Sequence, residues 1–262
     1  MTKADDYRQV LRTLDEWDAY LLAQSGLPGP RGNIELAQAV AEEGDRALFE
    51  RYSGISAAAA PTNTPGEFLA FCGVLGLGRL LADGDEALLP VLREHATDPR
   101  WRVREAVAMA LQRLGDADMV RLIAAMADWS EGTPLEQRAA AAALCEPRLL
   151  RRVEDARAVL QILDRITTSV EQATERRSDD FRALRKGLGY CWSVAVVAHP
   201  EAGKPLLEKW MAGTDPDIRW IMKENLKKAR LARMDAVWVA HWREWMSSEE
   251  SELGSARAYR GY

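Results

Sequence analysis

Apolar positions recur at three- and four-residue spacing along most of the chain, and the blocks they form are broken by short connections carrying Gly, Pro, Asp or Thr. The stretch from Leu88 to Asp116 shows the pattern most plainly. Leu88, Leu89, Val91 and Leu92 give one helix an apolar side; Asp98-Pro99 then breaks the chain, and Val103, Val107, Ala110, Leu111 and Leu114 line a second helix that Gly115 ends. A hairpin of this kind has apolar area on two sides and needs stacked neighbours to bury both. The same spacing predicts helices over 85–96, 99–114, 116–128, 134–145, 150–173, 179–198, 201–212, 216–231 and 234–246. The one β-rich run, Val194 to Val197, sits inside a stretch with helical spacing.

Before residue 64 the pattern is less regular. Tyr7, Val10, Leu11, Leu14, Trp17, Tyr20 and Leu21 form one stripe and predict a helix over Asp5 to Gln24. Gly26 to Asn33, with two prolines and three glycines, is an irregular loop. Residues 33–52 predict one or two short acidic helices, 53–65 a second irregular connection, and Thr64-Pro65-Gly66-Glu67 the start of the next helix.

The turn of the Leu88–Asp116 hairpin serves as a ruler for a repeat. Val103-Arg104, Gln137-Arg138, Phe181-Arg182 and Ile218-Arg219 stand at corresponding points, with arginine-to-arginine intervals of 34, 44 and 37 residues. Phe68-Leu69 is an earlier degenerate member, 35 residues before Arg104. Asp98-Pro99 with Val103-Arg104, and Asp215-Pro216 with Ile218-Arg219, resemble the HEAT-repeat family, which places an aspartate in the turn and a Val-Arg pair in the second helix. The resemblance covers residues 64–246. It implies an all-α HEAT-like superhelix, an α-solenoid of about five helical hairpins whose second helices line a concave face. Residues 1–63 would form an N-terminal helical cap with irregular loops, and 247–262 a polar C-terminal tail. The family's repeated arginine commonly pairs with a turn aspartate, which is the role the resemblance implies for Arg104.

The chain has 262 residues, of which 47% are hydrophobic, enough for a sizeable core. Residues 1–130 sum to −7 and residues 131–262 to +2, giving the net −5, so the acidic half disfavours nonspecific nucleic-acid binding by the whole molecule. Cys72, Cys145 and Cys191 lie apart in apolar patterns and suit buried thiols in a reducing compartment. The N-terminus has acidic residues before any apolar run, and the uncharged apolar stretch from Gly187 to Pro200, 14 residues long, suits a buried helix. A soluble, cytoplasmic protein without a membrane partner is the expectation.

No metal-ligand, nucleophile-elbow, Walker or dinucleotide pattern occurs, so no catalytic residue, metal or cofactor is expected. Trp101 and Trp220 stand apart from the other tryptophans because each opens a second helix beside basic residues, where a ring could stack on a planar group. The ligand face expected on the second helices comprises Trp101, Arg102, Gln137, Arg185, Trp220, Lys223 and Lys227. Binding of another protein or peptide as a non-catalytic scaffold is the first expectation. Nucleic-acid binding is the alternative, because the HEAT-like DNA glycosylases that excise alkylated purines are similar in their use of concave tryptophans, an aspartate and an arginine. Trp101, Asp98, Trp220 and Arg219 are the residue types that carry this second resemblance, although Asp98 and Asp215 are also turn residues.

Overall fold

The computed structural model describes residues 2–259, and side chains through Glu249. Among these residues there is no strand, and fifteen helices follow one another. In the first compact unit, residues 1–125, they are α1 (Lys3–Leu11), α2 (Asp18–Gln24), α3 (Ile34–Glu43), α4 (Arg46–Ser53), α5 (Pro65–Ala82), α6 (Leu88–His95) and α7 (Trp101–Ala117). The division falls inside α8 (Met119–Trp129). The second unit holds α9 (Pro134–Leu144), α10 (Val153–Gln172), α11 (Asp179–Ala198), α12 (Pro200–Met211), α13 (Pro216–Leu226), α14 (Ala229–Met234) and α15 (Ala236–Tyr259).

Neighbouring helices pack as pairs, α4 on α5 and α6 on α7 in the first unit, α10 on α11, α12 on α13 and α14 on α15 in the second. The second members then stack on one another: α5 against α7, and α11 against both α9 and α13. This stacking is what the hairpin's two apolar sides require. α5 is the heart of the first unit. It is long and apolar enough to cross a membrane by composition, more so than the Gly187–Pro200 stretch, but most of it is buried against protein. Its glycines permit the approach: a Cβ on Gly78 would stand 2.4 Å from the Ala110 Cα of α7, and one on Gly73 would stand 2.3 Å from the Ser53 amide nitrogen.

In the second unit a single side chain sets the register of α11 on α13. Asn225, fully buried, accepts from the Ser193 amide at 2.8 Å and donates to the carbonyls of Leu188 and Ile221, both at 2.8 Å. Both amide protons and the amide oxygen are bonded, two of the three bonds crossing to α11 and the third, to Ile221, lying within α13. Trp192, also buried, donates to Thr167 Oγ1 at 3.0 Å and ties α11 to α10.

Two expected helices prove to be pairs. The stripe over Asp5–Gln24 is interrupted between Leu11 and Asp18, where Thr13 Oγ1 donates to the Val10 carbonyl and Trp17 Nε1 to the Leu11 carbonyl. These bonds satisfy the carbonyls that end α1, so the chain can leave the helix. The run 216–231 is broken at Lys227–Lys228 into α13 and α14, while α15 continues beyond residue 246 to Tyr259. Of the expected C-terminal tail, residues 260–262 lie outside the described residues.

Candidate functional site

The repeated arginines stand at the fourth or fifth residue of α7, α9, α11 and α13, as the ruler predicts, but the turn aspartates are held by other residues. Asp98 receives the Arg100 amide at 2.7 Å and its guanidinium at 2.7 and 2.9 Å. Burial alone would raise the Asp98 carboxyl, but the Arg100 bonds outweigh it and hold the group below the usual carboxylate range. Arg104 instead donates to the backbone carbonyls of Asp98 and Pro99, at 2.5 and 3.1 Å. Asp215 caps α13 and pairs with Arg176 at 2.6 Å, whereas buried Arg219 donates to the Met246 carbonyl at 3.0 Å.

Arg100 and Arg102, at the start of α7, fasten the two irregular segments of the first unit. Arg100 is buried and reaches the carbonyls of Ile55 and Ala60, at 2.9 and 3.3 Å. Arg102 pairs with the fully buried Glu67 at 3.0 Å and donates to the Gly29 carbonyl at 2.6 Å. Asn63, in the left-handed region at φ 65°, completes the knot: its amide donates to Glu67 Oε2 at 2.7 Å, and its side-chain oxygen accepts from the Gly29 amide at 2.9 Å. Arg102 was expected on an open ligand face; it is a buried clasp, because Glu67 lies under it. Gln137, also expected there, is buried as well, bonded to the Ser130 carbonyl at 3.1 Å and to Ser169 at 3.0 Å.

Trp101 remains accessible, 45% exposed, with the Arg102 guanidinium 4.4 Å from its ring centroid. It edges a cavity of about 160 Å³ in the first unit whose other walls include Leu27, Ile34, Phe68, Phe71 and Met109. Arg31, Arg102 and Glu105 are the charged residues on that lining.

A larger groove, of about 480 Å³, lies between α11 and α13 in the second unit. Arg182, Arg185, Lys186 and Tyr190 come from α11, Trp220 and Glu224 from α13, and Lys228 from just after it. Gly189 lets the two helices close here, since a Cβ would sit 3.1 Å from the Glu224 Cβ and 3.3 Å from Trp220 Cζ3. Asp217 holds the Arg185 Nε at 3.2 Å and is itself paired with Arg176, so the Arg185 guanidinium is set over Trp220, 4.2 Å from the centroid. Arg230 stacks on Tyr190 in the same manner, 4.5 Å from the centroid, and donates to its hydroxyl at 2.6 Å. Glu224, the acid on the lining, is engaged by Lys227 at 2.5 Å. Asp179 pairs with Arg182 at 2.8 Å, and with it and Asp217 counted the four lining cations still outnumber the three carboxylates around the two aromatic rings, which gives the groove a positive potential.

Of the residues expected to share one face, the structure brings Arg185 and Trp220 together. Lys223 and Lys227 sit on or just after α13 but do not line the groove. Tyr190, Lys186 and Lys228 belong to it without having been singled out as site residues; their signal was the i, i+4 relation of Lys186 to Tyr190 and of Trp220 to Glu224 and Lys228. The three cysteines are free and buried as expected, though Cys145 and Cys191 are not isolated: burial pushes the Cys145 thiol up, and a hydrogen bond with Cys191 adds to it. No group of acids, histidines and cysteines fit to hold a metal occurs among the described residues.

Comparison with solved structures bears on the fold. AlkD2 from Streptococcus mutans superposes with a TM-score of 0.59 at 18% identity, covering 80% of this chain and 96% of that one. The fold is HEAT-like. An engineered protein also aligns, at 17% identity over 89% of this chain and 98% of its own, but its TM-score of 0.34 carries no argument. No protein-family model matches the sequence. Among curated proteins, none matches it. The HEAT-like array, with stacked second helices, is thus shared with a protein of little sequence similarity, and function has to be argued from the sites.

Proposed function

We propose that the second unit binds the phosphate backbone of a nucleic acid in the groove between α11 and α13. The observation that carries this reading is the grouping of Arg182, Arg185, Lys186 and Lys228 around Tyr190 and Trp220: Asp179 and Asp217 engage the two arginines and Lys227 engages Glu224, while among the described residues no carboxylate is paired with Lys186 or Lys228. Cations neutralise phosphates and release their counterions, so the interaction must weaken with salt. Two lysine contacts with phosphate predict a log–log slope of about −1.5 on a single strand between roughly 50 and 200 mM salt, rising to about −3 when the two carboxylate-paired arginines also reach phosphates. A fluorescently labelled oligonucleotide titrated across that range measures it; absence of binding at low salt, or affinity indifferent to salt, removes the proposal. An acidic peptide is the occupant through which the protein-binding expectation would survive, and polyglutamate displacing the oligonucleotide at equal charge would favour it.

A second reading attaches to the cavity of the first unit, where Glu105 stands one helical turn after the accessible ring of Trp101. A carboxylate beside an aromatic wall has the composition that excision of a cationic alkylated base uses, and Asp98 is tied to Arg100 in the turn. Release of 7-methylguanine from methylated duplex, lost in Glu105→Gln, is the outcome this reading expects. No release above the uncatalysed rate would dismiss it.

A further inference from the structure

We infer that the α11–α13 groove selects unpaired nucleotides over duplex, stacking a base on Tyr190. This rests on the phosphate-binding reading and adds to it the kind of strand. Tyr190 is 42% exposed although its ring is large and apolar, and its position is fixed by Arg230, which stacks on one face and bonds the hydroxyl at 2.6 Å. A guanidinium covers one face of a ring, so the ring it braces still has a second face to offer. Trp220, braced by Arg185 and seated against Gly189, walls the same groove, whose volume suits a ligand of nucleotide size.

Cations alone would serve a duplex, which presents phosphates outward and keeps its base faces stacked inside. Rigid ring faces among those cations gain nothing from such a ligand. They gain from one that brings a free planar face next to each phosphate, which is the property of a single strand. Stacking tolerates every base, so the preference is for strandedness rather than sequence.

The test compares three labelled probes at one salt concentration with the full chain: oligothymidylate, an abasic oligomer with the same number of phosphates, and a duplex of equal length. Oligothymidylate is expected to bind about tenfold tighter than either of the others. Tyr190→Ala, at an exposed position, should bring that ratio toward unity, and Tyr190→Phe should restore it. Equal affinity for the three probes overturns the inference while leaving phosphate binding intact, and a ratio that survives Tyr190→Ala overturns the role of this ring. Failure of every probe to bind at low salt overturns both readings together.

Discussion

Arg102→Met is expected to lower the unfolding free energy by about 3–5 kcal/mol, the cost typical of removing one partner from a buried ion pair. Glu67 is fully buried, and its Oε2 would keep only the Asn63 amide. Its Oε1 already lacks a protein partner, so the stranded charge would have little compensation. The Gly29 carbonyl would lose its donor in the same step, loosening the 26–33 loop over the cavity beside Trp101. Urea unfolding followed by tryptophan fluorescence measures the change. Glu67→Leu combined with Arg102→Met should recover much of it, because two apolar groups of similar size leave no orphaned charge. A single variant within 1 kcal/mol of the parent would show that the pair carries little of the first unit's stability.

The helices were legible because a 3.6-residue period needs only side chains on one face, and the chain keeps that period from α5 through α13. Breaks at Thr13 to Trp17 and at Lys227–Lys228 were not legible, since neither falls at a Gly or Pro; Thr13 and Trp17 donate to the last carbonyls of α1, and Arg243 donates to the Leu226 carbonyl at the end of α13. The candidate site was legible in part. Trp220 and Arg185 declared themselves as an aromatic and a cation on second helices, but whether an arginine faces a ligand or a buried acid depends on a partner far along the chain. Glu67 lies 35 residues before Arg102, and Ser169 lies 32 after Gln137, distances over which no local pattern operates. The HEAT-like resemblance predicted the position of the repeated arginines and not their bonds. Arg100 took Asp98 because it stands two residues along the same turn, and Arg176 took Asp215 because the α10–α11 connection brings it there.

The central claim, that the α11–α13 groove holds phosphates, meets its most direct test in Lys186→Glu combined with Lys228→Glu. Both side chains line the groove, and among the described residues neither side chain takes part in a hydrogen bond or ion pair, so reversal changes the local field with little cost to packing. Two phosphate contacts become two repulsions. Affinity for an oligonucleotide at low salt should fall about a hundredfold, and the salt slope should lose one to two units. The account predicts both changes together, in a protein that melts where the parent does. A folded double variant that binds as tightly as the parent, with the same slope, would contradict it.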